Sequence, residues 1–193
     1  MTTPGSIEMQ HQNTLELTRS ALAIIDMQEA FRSKIAEFPE TASRIAVMVQ
    51  AAKLLNLPII VTEQYPKGLG HTASEIKDVL PASLEIIERT TFSSCGVQPF
   101  ETQLEQTGAK QVIVCGIEAH ICVNQTVHDL LARGFQVYLL IDCITARNPN
   151  NREVGLEKMQ MSGAIPSSVE MALFELLRDA KHEQFKAIQG LIK

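Results

Sequence analysis

The feature that most constrains this chain is a series of short, unbroken apolar runs rich in β-branched residues, each separated from the next by a longer segment. Ala21 to Ile25 is continuous and closes on Asp26. Pro58 to Thr62, Val112 to Cys115 and Val137 to Ile141 follow, Leu84 to Arg89 is shorter and more alternating, and Ala164 to Pro166 reads as a short last run. Runs without polar alternation describe strands covered on both faces, which is the pattern of a parallel sheet. Between them, Ile45, Met48, Val49, Ala52 and Leu55 repeat with helical spacing, as do Ile121, Val127, Leu130 and Leu131 before the stop at Gly134. Ser168 is placed to cap a helix over Val169 to Arg178, and His182 to Ile192 forms a last amphipathic segment. The alternation predicts a doubly wound α/β sheet with right-handed crossovers. The stretch Gln64 to Ser74, with Pro66, Gly68 and Gly70, is the least regular and is read as a lid.

Length and charge narrow the function. The 193 residues suit a single domain, preceded by a polar extension over residues 1–19. A net charge of −5, with no long run of one sign, offers no field for nucleic acid or an anionic membrane. Met1 to Leu17 has no apolar core of the secretory kind, and no stretch approaches the roughly 20 apolar residues of a membrane helix. A cytoplasmic location is expected. The four cysteines, Cys95, Cys115, Cys122 and Cys143, form neither a C-x-x-C pair nor a zinc pattern. They are read as free thiols.

In an open α/β sheet, ligands bind beyond the carboxyl ends of the strands, where the winding reverses. Asp26, Glu63, Arg89 and Asp142 stand at such ends, and Cys122 falls in the first turn of the helix after the fourth strand. A helix start stabilises a thiolate, and its free N–H groups stabilise an oxyanion. Position alone leaves Cys122 evenly weighed between a nucleophile and a small buried hydrophobe. Nor does it separate Asp26 from Asp142 as the acid, or Arg89 from an ordinary ion-pair partner. Cys115 and Cys143 read as core, and Cys95 is given no role.

The segments AIIDMQEAF (Ala23 to Phe31), VTEQYPKGLG (Val61 to Gly70), ERTTFS (Glu88 to Ser93) and VCGIEAHICVNQT (Val114 to Thr126) resemble the isochorismatase-like cysteine hydrolases. The likeness runs in one register from about Ala21 to the C-terminus and includes the tail around His182 to Lys193. It implies a three-layer, Rossmann-like sandwich whose six parallel strands are ordered 3-2-1-4-5-6. It implies an Asp-Lys-Cys triad, carried over as Asp26, Arg89 and Cys122, and a non-proline cis peptide between Ile117 and Glu118. That bond would turn the Glu118 N–H, beside that of Cys122, into an oxyanion hole. Arg89 departs from the family's lysine, and a guanidinium does not release its proton in a protein.

Gln28, Phe31, Glu63, Tyr65 and Phe92 are taken as pocket residues, with core roles as the alternative. Nicotinamidases of this superfamily carry a D-x-H metal motif. Here Glu63, Gln64, Tyr65 and His71 lack ligand spacing, so no metal or other cofactor is expected, and His71 and His120 are read as wall or solvent residues. The expected activity is hydrolysis of a small amide or imide through an acyl-enzyme. The alternatives are vinyl-ether hydrolysis, a weakened family member that binds or scaffolds, and a redox sensor using the same thiol with Cys95. A homo-oligomer, dimer or larger, is the expected assembly.

Overall fold

The computed structural model describes residues 11–193. The first ten residues of the polar extension, and most of the segment read for a signal sequence, lie outside the described residues. Six strands form one sheet: β1 (Ser20–Ile25), β2 (Ile59–Gln64), β3 (Ile87–Arg89), β4 (Gln111–Gly116), β5 (Gln136–Ile144) and β6 (Ile165–Ser167). Their order is 3-2-1-4-5-6 and every pairing is parallel. β1 and β4 are buried along their whole length, as their unbroken apolar sequences require.

Helices cover both faces. They are α1 (Phe38–Leu55), α2 (Pro66–Leu69), α3 (Ser74–Lys77), α4 (Gln98–Thr107), α5 (Asn124–Ala132), α6 (Pro149–Met161), α7 (Val169–Leu177) and α8 (Phe185–Leu191). One core joins Leu22, Ile24, Ile113 and Leu140 of the sheet to α1, α3, α7 and α8. The other joins Ala21, Ile25, Val112 and Leu139 to α4, α5 and α6. Successive strand residues thus feed opposite cores, and each fully buried Ile or Leu contributes about 2 kcal/mol of transfer free energy. Pro39 opens α1, and Asn56, at φ +55°, ends it by turning its N–H back to the Ala52 and Lys53 carbonyls. The Ser168 hydroxyl accepts from the Met171 N–H at 3.2 Å, the cap expected for α7.

Three local features differ from the sequence reading. β3 pairs over three residues only, because Pro81 and the turn closed by the Leu84 N–H precede it. β5 continues past Asp142 to Ile144 through a register shift against β4. The helix after β4 begins with a π-helical turn, Ala119–Val123, before α5.

The amino-terminal segment is tied to the sheet. Leu15 is fully buried, and Gln111 accepts from the Glu16 N–H at 2.7 Å while donating to the Thr14 carbonyl at 3.0 Å. Among the described residues, no helix is long and apolar enough to cross a membrane.

Candidate active site

The chain winds from β1 outward to β2 and β3, then returns to β4 and proceeds outward to β5 and β6. The crevice beyond the carboxyl ends of β1 and β4 is therefore the switch point. The two ends approach closely. The Ile117 N–H donates to the Ile25 carbonyl at 2.9 Å, and a Cβ on Gly116 would lie 2.0 Å from that oxygen. Gly116 has φ +118°, a conformation open to glycine and strained for other residues. This contact sets the segment after β4 against the residue after β1.

Asp26 follows β1 in the left-handed region, with φ +50°. Its type is among the few that tolerate this conformation, and the turn points its carboxylate across the ends of β2 and β3. Thr62 donates to Oδ1 at 2.9 Å and Arg89 Nη2 to Oδ2 at 2.6 Å. The Arg89 and Asp26 side chains are 0% and 3% exposed. Arg89 Nη1 also donates to the Thr91 carbonyl, while Nε has no acceptor among the described residues. Burial pushes the Asp26 pKa up; Arg89 and then the hydrogen bonds from Thr62 and Cys122 work against that rise without cancelling it.

Cys122 sits in the π-helical turn and is buried, its Sγ 3.9 Å from Gln64 Oε1. Burial and the Asp26 charge push its thiol up to about 12, with Arg89 opposing. This is the reverse of the depressed thiol pKa that a helix start alone implies. Desolvation and a neighbouring carboxylate outweigh the helix end, which here is a π turn. The thiol is therefore protonated at rest, beside a carboxylate whose raised pKa makes it a stronger base.

The Ile117–Glu118 peptide is cis. Among the described residues, no group accepts from the Glu118 N–H. The Glu118 side chain is held by Arg147, whose Nη2 lies 2.9 Å from Oε1 and whose backbone N–H donates to Oε2 at 2.9 Å.

Asp26, Ile117, Glu118 and Cys122 line one cavity of about 270 Å³, walled also by Phe31, Leu69 and Phe92. Arg89 lies behind it, paired to Asp26. Three residues placed in the pocket from sequence are engaged elsewhere. Gln28 is fully buried and fastens the loop after β2, accepting from the Gln64 N–H and donating to the Gln64 and Gly70 carbonyls. Glu63 accepts from the Thr72 N–H and hydroxyl at 2.6 and 2.8 Å and meets His71 Nδ1 at 3.0 Å. Tyr65 is 56% exposed and packs beside Gly68.

Gln64, Lys34 and Arg147 line the cavity and were not singled out as pocket residues from sequence. Only Gln64 carried a signal, as the residue that directly follows Glu63 at the end of β2. Asp142 accepts from the Val169 N–H and pairs with Arg44, on the α1 and α7 side of the sheet, so it is Asp26 that faces Cys122. His120 Nε2 contacts Asn151 at 3.4 Å. Cys95, Cys115 and Cys143 are buried in the two cores, and burial raises each thiol pKa. Among the described residues, no group of three or more His, Cys, Asp or Glu side chains is arranged to hold a metal ion.

Comparison with known proteins agrees with this architecture. The isochorismatase domain pattern matches residues 20–171. Isochorismatase domain-containing protein 2 from Homo sapiens is 42% identical over 175 residues, covering 90% of this chain and 83% of its own. The structure of MAR1 ribonuclease from Caenorhabditis elegans superposes with a TM-score of 0.89 at 40% identity, over 93% of this chain and 92% of that one. YcaC from Pseudomonas aeruginosa, solved with hexane-2,5-diol and covalent acrylamide, superposes with a TM-score of 0.86 at 26% identity, over 94% and 93%. With the family pattern spanning all six strands, and relatives of about two-fifths identity covering nine-tenths of the chain, the protein belongs to the isochorismatase family.

Proposed function

We propose that this isochorismatase-family protein is a cysteine hydrolase of small amides or imides, with Cys122 as nucleophile and Asp26 as general base and acid. The observation that carries the reading is the convergence on one small cavity of a buried thiol, a carboxylate of raised pKa and an N–H without an acceptor among the described residues. Asp26 takes the Sγ proton as Sγ attacks the carbonyl carbon. The oxyanion is met by the N–H groups of Glu118 and Cys122. The tetrahedral species collapses, the C–N bond breaks, and protonated Asp26 gives its proton to the leaving nitrogen. Water, deprotonated by Asp26, then attacks the thioester. The C–S bond breaks and the sulfur recovers its proton.

Arg89 keeps Asp26 ionisable although both side chains are buried; no step requires the guanidinium to release a proton. The covalent acrylamide in YcaC supports a reactive nucleophile on this fold, because acrylamide alkylates nucleophiles such as thiols at its C=C bond. A net charge of −5 and a cavity of about 270 Å³ favour a small molecule over a polynucleotide. A homo-oligomer belongs to the same reading; an octameric hydrolase, the YcaC gene product of Escherichia coli, has this fold.

The test is hydrolysis of a panel of small amides, ureides and vinyl ethers by wild type, Cys122→Ser and Asp26→Asn. Both variants should lose at least about a hundredfold in kcat/KM on whatever the wild type cleaves. Equal activity of wild type and Cys122→Ser would remove the nucleophile assignment. Turnover of vinyl ethers alone would move the substrate class.

A further inference from the structure

Glu118 is held at almost every polar atom it carries. Its carbonyl accepts from the Ile121 and Val123 N–H groups at 3.0 and 3.3 Å, at the start of the π-helical turn that bears Cys122. Its carboxylate, 4% exposed, accepts from three donors of Arg147: the backbone N–H at 2.9 Å, Nε at 3.0 Å and Nη2 at 2.9 Å. Burial works to raise this carboxyl, and Arg147 holds it below the usual carboxylate range. The next residue, Ala119, donates to the Thr145 carbonyl at 2.9 Å. Thr145 and Arg147 both lie between the end of β5 and the start of α6, so one segment grips Glu118 and Ala119 by main chain and by ion pair. The atom left over is the Glu118 N–H, which has no acceptor among the described residues, on a residue that lines the cavity.

A buried ion pair adds little stability over apolar residues of the same size, but a forked guanidinium–carboxylate pair fixes both distance and direction. We infer that the Glu118–Arg147 pair is a clamp that aims the Glu118 N–H at the carbonyl oxygen of whatever is bound to Cys122. Arg147 is thus a positioning residue; it acts through Glu118 and moves no proton. The inference rests on the cysteine-hydrolase reading and deepens it. The clamp acts on oxygen and not on sulfur. A step that builds negative charge on the carbonyl oxygen depends on it, and a step that merely consumes the thiol does not.

Two reagents separate those steps. Propionaldehyde adds to Cys122: the S–C bond forms, the C=O π bond opens, Asp26 takes the Sγ proton and the oxygen carries the negative charge. Methyl methanethiosulfonate transfers its methylthio group to the same sulfur, methanesulfinate leaves, and no tetrahedral oxyanion forms. Protection of Cys122 by the aldehyde against the thiosulfonate, followed by mass spectrometry of the Cys122 peptide, yields the aldehyde Kd and the unprotected rate together. In Arg147→Ala the Kd should rise about ten- to a hundredfold, while the unprotected rate stays within about threefold of wild type. Arg147→Lys, which keeps the charge without the fork, should fall between. Should Arg147→Ala strand the Glu118 charge and fail to fold, Glu118→Gln combined with Arg147→Met removes both charges and should show the same loss of aldehyde affinity. On any amide that the wild type cleaves, the loss should appear in kcat rather than KM.

An unchanged aldehyde Kd in the folded variants, or a methylthiolation rate that falls in step with it, would overturn the clamp alone. Failure of propionaldehyde to protect wild-type Cys122 would instead remove the hydrolase reading, and the clamp with it.

Discussion

Arg89 Nη2 lies 2.6 Å from Asp26 Oδ2, with both side chains shut away from solvent. This pair holds an ionisable carboxylate beside a buried thiol. The cation is an arginine, so it fixes the charge of the site without taking part in proton movement.

Removing that cation strands the carboxylate. In Arg89→Met, Asp26 loses the strongest influence opposing the rise caused by burial, so its folded pKa climbs further. A carboxyl group whose folded pKa is raised contributes stability that is full below its unfolded pKa and is lost as pH rises through the folded value. The variant should be about 3–5 kcal/mol less stable than wild type at neutral pH, with the gap closing towards pH ~4. Urea midpoints across that range measure it, and a gap that widens in acid would contradict the account. Arg89→Lys should keep kcat within about threefold, because Asp26 carries the proton in the proposed cycle.

Thr62 donates to Asp26 Oδ1 at 2.9 Å and favours the ionised carboxylate. Thr62→Val should therefore raise the Asp26 pKa and move the acid limb of the kcat/KM profile upward by about half to one pH unit. A loss of rate with no movement of that limb would point to packing alone.

The resting thiol should resist alkylation at neutral pH. With its pKa pushed up to about 12, Cys122 should react with iodoacetamide at a rate still climbing at pH ~10. A plateau below pH ~8 would show a preformed thiolate and refute the assignment of Asp26 as the proton acceptor.

Buried neutral acids should make the protein sensitive to alkali. Cys95 is raised to about 11, and Cys122 and Tyr138 to about 12. For each, stability is full below the unfolded value and falls as pH rises towards the folded one, by about 1.4 kcal/mol per pH unit per group. Tm should decline from pH ~9 upward, and differential scanning calorimetry at stepped pH reads it directly.

Gly155 of α6 packs on the π-helical turn, where a Cβ would sit 2.9 Å from the Ala119 carbonyl carbon. Gly155→Ala should displace the turn that carries Cys122, cutting kcat/KM at least about tenfold for a loss of only about 1–3 kcal/mol in stability. Equal activity at reduced Tm would mean that the turn's placement is not critical.

The strand set and helix alternation were legible because burial on two faces demands unbroken apolar runs, a requirement written locally at Ala21 to Ile25 and Val112 to Cys115. The 3-2-1-4-5-6 order followed from family resemblance and is the order observed. Asp26, Arg89 and Cys122 were named from strand ends and family segments, and the fold draws them to one place. The helices α4 and α6 were not read. They carry few buried apolar residues, and Phe100 with Leu104, or Leu156 with Met159, are too sparse to mark a helical face.

What the sequence determined was the layered sheet and the identity of the chemical groups, because both are carried by short contiguous stretches. What only the tertiary structure decided was how those groups behave. Burial and a carboxylate set the thiol pKa upward, a guanidinium from another strand end opposes them, and two ion pairs neutralise Asp26 and Glu118. Solvation and Coulomb energies depend on distances between residues 29 and 63 apart in the chain, and no local pattern records them.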